Sequence, residues 1–254
     1  MLNFSEYGTA TDAPALLIVH GLFGSGRNWG VIAKRLSDTR RVITVDMRNH
    51  GDSPRADTQT YPDMAADLAE LIRHLGAPMD VCGHSMGGKA SMVLTLQHPE
   101  LVRRLIVADI APVAYDHNQQ GFIDAMRSVD LTTLTRRSDA QEQLAAAGVE
   151  PALQSFFTQS LDVTNKAWKL NLDVLEAEML NIVGWPENVT DPFNGPTLFL
   201  SGAASHYVQP EYRPLIKSLF PNAHFAKIPN AGHWLHAENP RAFEASLRAF
   251  LDHS

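Results

Sequence analysis

Val81-Cys82-Gly83-His84-Ser85-Met86-Gly87-Gly88-Lys89-Ala90 is the stretch from which the fold can be read. The apolar run Met79–Gly83 before the serine reads as a short buried strand, and the residues after Ser85 open an apolar helix. Between them, G-x-S-x-G makes a strained strand-to-helix turn that holds a serine hydroxyl clear of the sheet. Gly83 and Gly87 flank the turn because a Cβ at either place would collide with the neighbouring strand and helix. The helix N-terminus brings free N–H groups and partial positive charge beside Ser85. A bland alternative is a serine that merely caps a helix between turn glycines. The strand–turn–helix setting favours a nucleophile.

Working outward, short Val/Ile/Leu-rich runs alternate with helical patterns. Candidate strands are Ala15–His20, Arg41–Asp46, Met79–Gly83, Arg104–Asp109, Pro196–Ser201 and His224–Ile228. Tyr61–Leu75 has Pro62 in its first turn, Met64, Leu68, Leu71, Ile72 and Leu75 on one face, and Gly76 as its stop. Arg241–Leu251 follows Pro240 and repeats the spacing with Phe243, Leu247, Phe250 and Leu251. Near-continuous apolar strands separated by helices predict an α/β fold, a mostly parallel sheet covered by helices on both faces.

One interval breaks the alternation. From Ala111 to about Asn194 the patterns are helical with no convincing strand, and the length is excessive for an ordinary connection. The expected organisation is a core of residues 1–110 and 195–254 with a helical cap, 111–194, inserted in it. No linker-like composition flanks the insertion, which argues against a second independent domain.

Bulk properties narrow the function. The chain has 254 residues, 44% apolar and 19% charged, with a formal net charge of −7. Basic residues come at most in pairs, so no nucleic-acid partner is expected. The single Cys82 excludes an intrachain disulfide and a multi-cysteine zinc site. No segment approaches the ~18–20 apolar residues that span a bilayer, and a soluble cytoplasmic protein is the expectation.

Two further loops carry chemistry. His20-Gly21-Leu22-Phe23-Gly24-Ser25-Gly26 follows the first clear strand. A developing oxyanion needs two preorganised donors, and the backbone N–H groups of Met86 and Leu22 are the candidates. Pro229-Asn230-Ala231-Gly232-His233-Trp234-Leu235-His236 lies between the last strand and the last helix. A base for Ser85 must exchange protons near neutral pH at the sheet's carboxyl edge, which His233 does, with His236 as competitor. His233, His236 and Glu238 lack a matching ligand set, so no metal is expected.

Oxyanion loop, serine elbow and histidine loop, in that order, resemble the α/β-hydrolase superfamily over nearly the whole chain. HGLFGS, VDMRNHG, GHSMGGKA, DIAPV and NAGHWLHAE resemble most the small intracellular esterases of the YbfF-like group. The resemblance implies hydrolysis of carboxylic esters and acyl-CoA thioesters without a cofactor. In Asp46–Pro54, which resembles a structural loop of the superfamily, Asp46 and Arg48 read as an internal ion pair.

The acid departs from the common pattern. The superfamily usually places it in a G-x-x-D turn before the histidine strand, and here that turn is Gly202-Ala203-Ala204-Ser205. A serine cannot supply the charge that stabilises an imidazolium. Asp109 ends the strand RLIVAD, where sites in open α/β sheets gather, and the superfamily's strand order puts it on the histidine side of Ser85. Members of the resembling group draw their acid from this position. Asp46 ends a strand on the opposite side, and Asp173 would have to reach down from the cap.

The expected catalytic set is therefore Ser85, His233 and Asp109. Phe23 of the first loop, with Phe156 and Trp185 of the cap, are the substrate-binding candidates; the cap also carries the apolar residues Phe122, Met126, Phe157, Trp168, Leu172 and Met179. Lys89, Arg136 and Lys166 could meet a CoA phosphate, but isolated surface charges explain them better. The same triad would also serve a C–C bond hydrolase or a cofactor-free perhydrolase, and a non-catalytic scaffold is the remaining alternative.

Overall fold

The computed structural model describes residues 1–76, 78–116 and 119–253. Its central sheet holds seven strands: β1 (Phe4–Tyr7), β2 (Leu16–Val19), β3 (Val42–Val45), β4 (Met79–His84), β5 (Val102–Ala108), β8 (Thr197–Gly202) and β9 (Ala223–Ile228). They lie in the order β1-β3-β2-β4-β5-β8-β9. All neighbours run parallel except β1, which pairs antiparallel with β3. β2, β3, β4 and β8 are buried at every residue, so they carry no polar alternation.

Helices α1 (Gly30–Leu36), α2 (Tyr61–Leu75), α3 (Met86–Gln97) and α9 (Arg213–Leu219) make the crossovers. α10 (Leu235–Glu238) and α11 (Pro240–His253) close the chain. α2 starts where Thr60 Oγ1 accepts from the Asp63 N–H, and stops at Gly76, whose φ of +91° is easiest for glycine. α2 and α3 cover one face of the sheet, and α1 and α11 the other, where Trp29, Ile32, Leu36, Phe243 and Leu247 form the second core. Each such side chain contributes about 1.5–3 kcal/mol by leaving water.

Between β5 and β8 the chain makes its long excursion. This holds α4 (Gln120–Arg127), α5 (Arg137–Ala146), α6 (Pro151–Phe157), α7 (Leu172–Ala177) and α8 (Met179–Val183). It also holds a small hairpin, β6 (Leu161–Asp162) with β7 (Ala167–Trp168), where the sequence suggests helices alone. Two-residue strands are too short to leave an alternation. The edge strand β1 is silent in the sequence for a related reason: FSEY is half exposed and has no apolar run.

Three crossovers and the sheet order bring the ends of β2, β4, β5 and β8 to one edge, with the excursion above them. The strand expectations match β2 to β5, β8 and β9 within two residues, and α2 matches at both ends. The Asp46–Arg48 pair is not formed. Arg48 binds Asp67 at 2.6 Å, while Asp46 accepts from Asn3, the Gly26 N–H and the Asp52 N–H. Three donors already satisfy Asp46, and α2 offers Arg48 a carboxylate in better reach.

Candidate active site

Ser85 follows β4 with φ +53° and ψ −120°, a conformation that a non-glycine residue holds at a cost of about 1–3 kcal/mol. The surrounding packing imposes it. A Cβ on Gly83 would lie 2.3 Å from the Gly87 carbonyl oxygen, and one on Gly87 would lie 2.3 Å from that of His20. Only glycine fits at either place.

His233 Nε2 is 3.1 Å from Ser85 Oγ, and His233 Nδ1 is 2.8 Å from Asp109 Oδ2. A carboxylate only accepts, so Nδ1 carries the proton and Nε2 meets the serine as an acceptor. The His233 loop is held by His84, whose Nε2–H donates to the His233 carbonyl at 2.8 Å, and by Tyr207, whose ring stacks on His233 at 4.0 Å. Burial, and the nearby His233, keep His84 neutral, its pKa far below the usual histidine value.

Asp109 is fully buried at the end of β5. The Gly202 N–H donates to its Oδ1 at 3.0 Å, and the Ser205 hydroxyl donates to its Oδ2 at 2.5 Å. Ser205 is the residue standing where the common acid would be. Sequence reasoning missed its part, although the G-x-x-S turn was in view. The other carboxylates lie elsewhere: the Asp173 side chain is 91% exposed and pairs with Arg127, and Asp46 belongs to the loop after β3.

Among the described residues, no hydrogen bond joins His236 to Ser85. Its ring stacks on Trp29 at 4.0 Å, and burial, with His233 adding, depresses its pKa to about 3.

A cavity of about 400 Å³ opens over this site, with Ser85, His233, Leu22 and Met86 in its wall. Among the described residues, neither the Leu22 N–H nor the Met86 N–H has an acceptor. The adjacent Phe23 N–H is engaged by His50 at 3.2 Å. Phe23, Phe122, Phe156 and Phe157 line the cavity. Trp185 does not: it faces a separate recess with Val189 and Leu219, beyond the end of α8. Arg136 pairs with Asp139, and Lys166 turns the β6–β7 hairpin; neither lines the cavity.

Lys89 is not a surface cation. It is 1% exposed, four residues along α3 from Ser85, and its Nζ donates to the Val183 and Gly184 carbonyls at 2.9 and 2.5 Å. Burial lowers its pKa to about 7. It ties the excursion to the core.

A doubly covered, mostly parallel sheet with a serine elbow, and a histidine and a carboxylate at the same edge, is the architecture of an α/β hydrolase. The chain belongs to that family: the α/β-hydrolase fold family matches residues 14–240. It is 41% identical over 255 residues to the sn-1-specific diacylglycerol lipase ABHD11 of Mus musculus, covering 96% of this chain and 82% of that one. It is 37% identical over 245 residues to Esterase YbfF of Escherichia coli (strain K12), covering 93% and 92%. A solved structure described as a marine microorganism esterase superposes with a TM-score of 0.92 at 38% identity, covering 98% of each chain. The chain is a carboxylic ester hydrolase of the α/β-hydrolase type, similar to the YbfF-like esterases.

Proposed function

We propose that the protein is a serine esterase that cleaves carboxylic esters, and acyl thioesters as well, through an acyl-enzyme on Ser85. The observation that carries this reading is the unbroken chain from Ser85 Oγ through His233 to Asp109 beneath a largely apolar cavity.

Ser85 Oγ attacks the acyl carbonyl carbon as its proton passes to His233 Nε2. The carbonyl oxygen becomes an oxyanion, which the Leu22 and Met86 N–H groups stabilise. The tetrahedral intermediate collapses, and the leaving alcohol or thiol departs with the proton from His233. Water then attacks the acyl-enzyme, giving its proton to His233, and Ser85 Oγ leaves with that proton to release the acid. Asp109 fixes the tautomer and stabilises the imidazolium that forms twice per cycle.

In this reading residues 111–194 act as the cap over the core formed by 1–110 and 195–254, with Phe156 and Phe23 against the acyl group. The cavity's volume is in the ~300–1,000 Å³ range of small-ligand sites. Similarity to a diacylglycerol lipase favours acyl glycerols among the substrates. No step calls for a cofactor or metal.

The test is initial rates on p-nitrophenyl esters, a diacylglycerol and acyl-CoAs of graded chain length, with fluorophosphonate labelling in parallel. Wild type should turn over and label at Ser85, and Ser85→Ala should do neither. A folded wild type with no label at Ser85 would overturn the reading in favour of a scaffold. Turnover of oxygen esters with none of acyl-CoAs would remove the thioester half.

A further inference from the structure

The loop that carries the Leu22 N–H is a turn in which the Gly24 N–H donates to the Gly21 carbonyl at 3.0 Å. Its third residue, Phe23, has φ +63°. A positive φ at that position is the mark of a type II turn, normally filled by glycine or asparagine. A phenylalanine there costs about 1–2 kcal/mol, and rotating the Leu22–Phe23 peptide would relieve it by giving a type I turn. Something must hold that peptide.

Two buried histidines lie under the turn, their rings 5.1 Å apart. His20 Nδ1–H donates to the Gly21 carbonyl at 2.7 Å, and His20 Nε2 accepts from the Met47 N–H at 2.9 Å. In a trans peptide the N–H points opposite the carbonyl, so two donors on Gly21 O fix the direction of the Leu22 N–H. The next plane is held by His50. A carbonyl only accepts, so the 2.9 Å contact to Arg48 O puts the His50 proton on Nδ1. That leaves Nε2 as a bare acceptor, which takes the Phe23 N–H at 3.2 Å.

We propose that His50 is a positioning residue for the oxyanion turn: by accepting the Phe23 N–H it locks the Leu22–Phe23 peptide in the type II form, so that the turn carrying the Leu22 N–H beside Ser85 keeps its shape. The inference rests on the proposed Ser85 chemistry. Among the described residues, none of the loop after β3 lines the cavity over Ser85, so His50 acts through Phe23. Further support comes from charge. His50 is flanked by His20, Asp46, Arg55 and Arg48, and burial, with His20 adding, holds its pKa at about 3. The Nε2 lone pair then stays available down to about pH 3. The other side of Phe23 is braced from the excursion, where Ser160 Oγ donates to its carbonyl at 3.1 Å.

The test compares His50→Leu, His50→Gln and His50→Asn. Glutamine can place a carbonyl oxygen near the position of Nε2, whereas asparagine reaches only that of Nδ1. Loss of a whole oxyanion donor costs about 10²–10³ in kcat, so a loosened one should cost about 10-fold or more. Expected for His50→Leu and His50→Asn is that fall in kcat with KM nearly unchanged. Affinity for a trifluoromethyl ketone, which mimics the tetrahedral intermediate, should fall in step with kcat/KM, and His50→Gln should recover most of both. If His50→Leu does not fold, the Gln/Asn pair decides the question by itself. Wild-type kcat in His50→Asn, a loss confined to KM, or glutamine no better than asparagine would overturn the proposal. Failure of the Ser85 chemistry itself would show separately, as a wild type that neither turns over nor labels.

Discussion

Ser205 Oγ and His233 Nδ1 donate to the same oxygen of Asp109, at 2.5 and 2.8 Å. The position that commonly supplies the acid in the family here supplies a hydrogen bond to Asp109. Asp109→Asn should therefore cut kcat by about 10³–10⁴, because the amide favours the wrong histidine tautomer. Ser205→Ala should cost about 10-fold or less. In an Asp109→Ser background, Ser205→Asp should restore activity by at least about 10-fold, since an aspartate there can reach the same ring nitrogen. Rates on p-nitrophenyl butyrate decide it; Asp109→Asn within about 10-fold of wild type would end the assignment.

His236 is predicted to matter for acid stability and little for turnover. Unfolded, it takes a proton near its ordinary pKa of ~6.5, whereas the folded protein refuses one until about 3. The unfolded state binds more protons between those values, so stability is lost as pH falls through that window. His236→Phe, which keeps the stack on Trp29, should flatten the decline between pH 6.5 and 4 in urea unfolding and leave kcat within about threefold. His233→Ala should abolish turnover instead.

Lys89 carries the opposite pH window. Its folded pKa of about 7 lies below the ordinary 10.5, so above pH 7 the unfolded chain binds the extra proton. Stability then rises with pH from about 7 to 10.5, at up to about 1.4 kcal/mol per unit. Lys89→Met should abolish that part of the slope, read as the difference between the two proteins' urea midpoints at pH 7 and 9.5. Identical slopes would mean that the ammonium is not buried as found.

Two glycine substitutions should act in opposite directions. Gly87→Ala drives a methyl to 2.3 Å from the His20 carbonyl oxygen and 2.5 Å from that of Val19. Overpacking of backbone against backbone should cost about 3 kcal/mol or more, with loss of activity. Gly121, inside α4, has open space around its missing Cβ and no positive φ. Gly121→Ala should raise stability by about 0.5–1 kcal/mol without touching kcat. Melting curves of both variants check the pair.

What could be read in the sequence was whatever depends on local pattern. The elbow, the two loops and α2 declare themselves because glycines, Pro62 and apolar spacing act over a few residues. Asp109 needed more: its rank above Asp46 and Asp173 came from strand order, a nonlocal property supplied by resemblance. Contacts that cross between elements left no signal. Nothing around Lys89 says that its ammonium is buried against Val183, and nothing around Trp185 says that it turns away from the cavity. Arg48 likewise chose Asp67 on α2 over its near neighbour Asp46.

Asp109 also stands two residues before the start of 111–194, and β8, where the chain returns, ends with the Gly202 N–H on that same carboxylate. β5 and β8 pair in register from Leu105↔Thr197 to Ala108↔Leu200. The points of departure and return are thus stitched together beneath whatever lies between them. A lineage carrying this fold could exchange the intervening segment by recombination at those two points and keep Ser85, His233 and Asp109 in place, while the cavity wall and the Ser160 brace on Phe23 change with the segment.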